Sequence, residues 1–253
     1  MPVNLRVMQG DDHRGTLGTV RNATLLLSLL AEGPAYNQLT DLAERSGMSL
    51  PTVHRLLRSL ALAGLVEQDP RSARYSLGPE IVRLSERYLD RLPTLRALSP
   101  YLRELRDTTK TTILVALLVR TSIIYVDRVD GEEGGGVFRE SHRVHEALDT
   151  AAGRLLLARG EPEVWAEALG GRTRPSNRDR RVWADAPFLL LGPDGERPMT
   201  EVAVPVLDGA GRARAALCAR GDPAAFSDDV LKSEVAPQLI RAARAAARAV
   251  VGG

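Results

Sequence analysis

An α+β chain of two domains is expected from three observations. Apolar residues recur at helical spacing from Thr16 to Leu60, a short strand-like pair follows Gly64, and beyond residue 97 β-rich runs alternate with helical segments. At 253 residues and 44% hydrophobic, the chain is long enough to bury a core in each domain.

The first fifteen residues are polar, hold Gly10 and Gly15 and show no periodicity, so 1–15 is read as a flexible arm. A first helix is expected from Thr16 to Ala31, where Val20, Leu25, Leu26, Leu29 and Leu30 share a stripe that Gly33-Pro34 ends. A second should run from Gln38 to Ser46, with Asn37 as its N-cap and Gly47 supplying the left-handed geometry that closes it. The third opens at Ser49 as its cap, carries Pro51 in its first turn, where no amide donor is needed, and buries Val53, Leu56, Leu57 and Leu60. Leu65-Val66-Glu67 and Arg74-Tyr75-Ser76-Leu77, joined by Asp69-Pro70-Arg71-Ser72, read as a hairpin. Three helices and a hairpin make a winged helix-turn-helix over 16–78.

Pro79 starts an amphipathic linker helix over 79–96 with Ile81, Leu84, Tyr88 and Leu92 on one stripe, running to Pro93. A second domain, 97–253, then begins with a helix from Tyr101 to Thr108 after Ser99-Pro100. Strands at Thr112 to Val119 and Ser122 to Val129, a loop at Gly131 to Gly136 and a helix from Thr150 to Arg159 follow. The stretch 171–199 reads as irregular. Strands at Glu201 to Leu207 and Ala213 to Cys218, around the turn Asp208 to Gly211, and a terminal helix from Asp228 to Val251 complete the α+β plan.

Composition narrows the function. No run of about eighteen apolar residues is present and the first residues lack the layout of a secretory signal, so a cytoplasmic protein with no membrane contact is expected. The single cysteine, Cys218, excludes an internal disulfide framework and any multi-cysteine zinc or iron–sulfur site. No cofactor or metal is expected. His142, His145, Glu146 and Asp149 have near-helical spacing but read as a solvated polar segment, and Gly134-Gly135-Gly136 lacks the lysine and hydroxyl residue of a phosphate loop. No nucleophile and base can be paired, which argues against an enzyme.

The strongest signal is the exposed face of the third helix. At about 100° per residue, Pro51, Thr52, Arg55, Arg58 and Ser59 lie opposite the buried stripe, next to Ser49 at the end that would enter a groove. Arginine can bind guanine bidentately, and hydroxyls can meet phosphates or base edges. Arg71 and Arg74 flank the hairpin tip, within reach of phosphates or a minor groove. Arginines and acids balance over residues 1–80, so double-stranded DNA has to be held by a few placed side chains. A homodimer on a near-palindromic operator is expected, joined through Leu25, Leu29, Ile81, Leu84 and Tyr88.

The segments Gln38-Leu39-Thr40-Asp41-Leu42-Ala43-Glu44-Arg45-Ser46-Gly47, Thr52-Val53-His54-Arg55-Leu56-Leu57 and Tyr75-Ser76-Leu77-Gly78 resemble the DNA-binding half of IclR-type bacterial transcriptional regulators. The likeness continues through Ile124-Tyr125-Val126-Asp127-Arg128-Val129, Thr150-Ala151-Ala152-Gly153-Arg154-Leu155 and Ala203-Val204-Pro205-Val206-Leu207-Asp208, covering roughly residues 16–250. The resemblance implies a GAF-like effector-binding domain, dimers and often tetramers, and a small-molecule effector near Leu148, Thr150, Ala151, Gly153, Glu201, Cys218 and Arg220.

Four of those positions depart from the family. Leu148 stands where a histidine is usual, Glu201 where a small polar residue or cysteine is common, and Cys218 and Arg220 where serines occur. If Glu201 and Arg220 both face inward they should pair, since a lone buried charge is strongly penalised. The stretch 171–199 looks too short and too rich in Pro and Gly to supply a wall that the family places there. Two readings therefore stay open: a regulator controlled by an effector, and a ligand-independent regulator whose pocket Glu201 and Arg220 close.

Overall fold

The computed structural model describes residues 16–131, 144–193, 199–208 and 210–251. The expected arm, the loop residues 132–136, His142 and Gly209 lie outside the described residues. The chain divides into two compact units between Tyr88 and Leu89. That division falls within the segment 79–96 expected to link the domains.

In the first unit, helices α1 (Thr16–Glu32), α2 (Leu39–Ser46) and α3 (Leu50–Leu62) enclose a core of Leu26, Leu30, Leu42, Val53, Leu57 and Leu60. Gly47 closes α2 at φ 69°, a left-handed conformation that residues with a side chain rarely adopt. Strands β1 (Val66–Gln68) and β2 (Tyr75–Leu77) pair antiparallel, Val66 opposite Leu77, as the wing. Asn37 is not the cap of α2. Gln38 holds that position, and Asn37 is 2% exposed, bridged to Tyr75 by two backbone hydrogen bonds of 2.8 Å. Its side-chain amide donates to the Pro34 carbonyl and its oxygen accepts from Arg45, so burial against the wing won over capping. Helix α4 (Glu80–Asp90) follows with no buried residue.

The second unit opens with α5 (Pro93–Thr109), longer than the expected Tyr101 to Thr108. Pro100 sits inside it on the exposed side, while Leu98, Leu102 and Leu105 carry one buried stripe past the missing donor. Strands β3 (Thr112–Val119), β4 (Ser122–Val129), β5 (His145–Glu146), β6 (Leu189–Leu191), β7 (Thr200–Leu207) and β8 (Ala213–Gly221) form one antiparallel sheet in the order β5-β4-β3-β8-β7-β6. A 3-10 turn (Ala147–Asp149) leads into α6 (Ala151–Arg159), followed by α7 (Pro162–Leu169) and α8 (Asn177–Asp185). A short α9 (Asp228–Val230) and a π turn (Leu231–Val235) precede α10 (Ala236–Val251).

Strand alternation sorts the side chains between two layers. Ile113, Val115, Val202, Val204, Leu217 and Ala219 pack with α5 and α10, whereas Leu114, Ala116, Ala203, Ala216 and Cys218 pack with α6. The stretch 171–199 is not irregular throughout: it holds α8 and β6. Ser176 caps α8 in a reciprocal box with Asp179, and Arg180 donates to the carbonyls of Ala158 and Gly160, which ties α8 to the end of α6.

Candidate DNA-binding face and sensing site

On α3 the stripe Val53, Leu56, Leu57 and Leu60 is buried, so the helix can present only the other side. Ser49, Pro51, Arg55, Arg58 and Ser59 are exposed and Thr52 is half-buried. Arg55 and Arg58 make no ion pair among the described residues, leaving their guanidinium donors to solvent or to a partner. Ser49 does not cap the helix with its side chain. Its hydroxyl instead meets the Thr52 hydroxyl at 2.8 Å, and the Ser59 hydroxyl turns back to the Arg55 carbonyl at 3.0 Å. His54, exposed beside Arg55, was not singled out by the sequence reading, although it stands one step round the same open face.

At the wing tip, Asp69 Oδ1 accepts from the backbone N–H of Arg71 at 2.7 Å and of Ser72 at 3.3 Å. These bonds hold the Asp69 carboxyl below the usual carboxylate range. Ala73 closes the turn at φ 56°, with its N–H bonded to the Asp69 carbonyl. Arg71 and Arg74 project from this tip as exposed cations.

The sensing-site candidates converge in the second unit. Thr150 caps α6, its hydroxyl accepting from the Gly153 N–H at 2.9 Å. A Cβ on Gly153 would lie 2.1 Å from the Ala147 carbonyl oxygen, so only glycine lets the 3-10 turn fold onto the start of α6. Ala151 is buried there, as is Leu148, whose carbonyl accepts from Arg154 Nε at 2.7 Å.

Glu201 on β7 stands directly opposite Arg220 on β8, and both face the α6 layer. Glu201 is 5% exposed, and every oxygen is engaged. Oε1 accepts from the Ala152 N–H at 3.0 Å; Oε2 accepts from the Tyr125 hydroxyl at 2.6 Å and from Arg220 Nη2 at 2.7 Å. Arg220 Nη2 also reaches the Tyr125 oxygen at 2.9 Å, and its Cζ lies 4.9 Å from the Tyr125 ring centroid. Burial works against the charge on Glu201, but the Arg220 guanidinium, the Tyr125 hydroxyl and the Ala152 N–H outweigh it and hold the carboxyl below its ordinary range. Burial pushes the Tyr125 hydroxyl up, and the Cys218 thiol beneath the pair is raised by the same cause.

Thr150, Gly153, Glu201, Cys218 and Arg220 are thus brought to one place, and the network adds Tyr125 and the N–H of Ala152, which the sequence did not mark as site residues. Tyr125 could have been found from β4 alternation, since its partner Ala116 faces the same layer. A helix N-terminus favours a carboxylate, and here the chain supplies its own.

Comparison with known proteins agrees with both halves. A family model for the IclR helix-turn-helix domain matches residues 19–70, and one for the bacterial transcriptional regulator IclR C-terminal region matches residues 86–180. The HTH-type transcriptional regulator KdgR of Escherichia coli is 29% identical, with 78% of this chain and 80% of that protein covered. The glycerol operon regulatory protein of Streptomyces coelicolor is also 29% identical, covering 92% and 94%. A crystal structure of an IclR family transcriptional regulator from Brucella abortus superposes with a TM-score of 0.81 at 23% identity, covering 99% of this chain and 100% of that one. Among the described residues no helix is long and apolar enough to cross a membrane. With an exposed basic α3 face, a wing, a two-layered second unit and both family models matched in order, the chain belongs to the IclR family of helix-turn-helix transcriptional regulators, DNA-binding proteins and not enzymes.

Proposed function

We propose that the chain reads a near-palindromic operator through Thr52 and Arg55 of α3. Ser49, Pro51, Arg58 and Ser59 lie along the groove in this reading, and Arg71 and Arg74 of the wing reach the backbone. We further propose that its site at the α6 N-terminus is filled by Glu201, so that control of DNA binding does not run through a small carboxylic acid seated there. The observation that carries this is the Glu201 carboxylate on the Ala152 N–H, with Tyr125 and Arg220 completing its hydrogen bonds. A ligand carboxylate would have to displace a carboxylate already satisfied on every side, and would leave it buried without partners.

Opening the site tests the reading. Glu201→Cys with Arg220→Ser removes both charges together and leaves a space at the helix N-terminus. Calorimetry with pyruvate, succinate and benzoate should show no binding to the wild-type chain and saturable binding of at least one acid to the double variant. Tight binding of any of them to the wild-type chain, lost in Arg220→Ser and coupled to release of operator DNA, would return the effector-controlled reading.

A further inference from the structure

We infer that the groove between β7 and α10 is a ligand site, built for an amphipathic organic anion with a carboxylate head and an apolar tail. It lies at the edge of β7, between α10 and the C-terminal end of α6, and the inference does not rest on how Glu201 is read.

Strand β6 pairs with β7 only from Ala203 to Glu201, so β7 runs on from Val204 to Leu207 with no strand at its outer side among the described residues. A cavity of about 320 Å³ occupies this place. That is within the range of small-molecule pockets, which start at roughly 300 Å³. Its floor is apolar: Val204 and Leu207 come from the strand, and Ile240, Ala243 and Ala247 from successive turns of α10. Pro205, also in the wall, has no N–H to offer, so this stretch of edge is a poor template for another strand. A small molecule is therefore favoured over an added peptide.

The charged groups lining the cavity are Arg159, Arg244 and Arg248, with no acid among the lining residues. Arg244 and Arg248 stand four residues apart on α10, a like-charge spacing that works against a helix. Neither has an acidic partner among the described residues. Arg159 is fixed from the other side, donating to the carbonyls of Trp183 at 2.9 Å and Ala186 at 2.8 Å. Three guanidinium groups thus surround an apolar floor. That arrangement complements a carboxylate whose hydrocarbon lies against Val204 and Ile240.

Octanoate is the probe, with octanol and inorganic phosphate as its two halves. Calorimetry on the full chain should show saturable octanoate binding at least tenfold tighter than either half. Arg244→Gln with Arg248→Gln should weaken octanoate about tenfold or more, on the scale of one lost charge-assisted hydrogen bond, while the unliganded melting temperature holds or rises. Because both arginines are exposed, the variant keeps its fold. Equal affinity for octanol, equal protection by phosphate, or octanoate affinity unchanged in the variant overturns the proposal. So does a variant that shifts the oligomeric mass in light scattering with octanoate binding untouched, since the groove would then be a contact between copies.

Discussion

At the scale of single residues, the Glu201 and Arg220 pair is held in place by geometry that alternation alone dictates. Cross-strand register sets the two opposite each other, and the even spacing along β7 and β8 turns both toward α6. Removing one partner strands the other, so Arg220→Ala should destabilise the domain by about 3–5 kcal/mol, while the joint change to Cys and Ser costs much less than the sum of the singles. Thermal unfolding of the four chains measures the coupling, and additive losses would mean no interaction. The pair also sets a pH dependence. The folded carboxyl of Glu201 lies below its ordinary value, so its contribution is complete at neutral pH, above the unfolded pKa, and is lost as pH falls through the folded value. The stability gap between the wild-type chain and Glu201→Gln should therefore shrink on acidification. A gap that widens toward acid would mean that the carboxyl is protonated in the folded chain.

At the scale of elements, each functional end depends on how a helix begins. Gly153→Ala would drive a Cβ into the Ala147 carbonyl, which is backbone and cannot swing aside, so a loss of about 1–3 kcal/mol or more is expected in urea unfolding. On α3, Thr52→Ala and Arg55→Ala should each weaken operator binding by about 1–3 kcal/mol with the fold intact; gel-shift titration showing both unchanged would remove that helix from the groove. These starts were legible in the sequence, because Pro51 and the Thr150-Ala151-Ala152-Gly153 run carry local chemistry. So was the buried stripe of α3, since helical period and burial agree there. What local pattern could not show was decided by tertiary contacts. Pro100 reads as a helix start, yet the stripe Leu98, Leu102 and Leu105 on the sheet keeps α5 continuous through it. Asn37 reads as a cap, yet the wing buries it. The Ser176 to Asp179 box was present in the sequence and was masked by the Gly and Pro around it. Tyr125 escaped because its role depends on a carboxylate far along the chain.

At the scale of the whole molecule, the operator and the oligomer are one question. The DNA-binding unit carries few arginines, and counterion release scales with the number of phosphates neutralised, so we propose that two copies act together for tight binding. Of the first-helix residues expected to join them, Leu29 is 8% exposed and belongs to the core, while Leu25 is half-buried. Helix α4 is the better candidate. None of its residues is buried, and Leu84 and Tyr88 are 47% and 57% exposed along the stripe that starts at Ile81, with Val82 open beside them. An amphipathic helix with its apolar side in water is stabilised by covering that side, and a second copy of the same helix presents the same stripe for an isologous contact. Leu84→Glu with Tyr88→Glu should then yield a monomer by light scattering. Operator affinity should fall by far more than the loss of one arginine contact, and the salt slope should drop to about half, since half the phosphate contacts are gone. Each folded monomer would still bind a single half-site weakly. If the variant stays dimeric at the same concentration with unchanged affinity, α4 is not the joining surface.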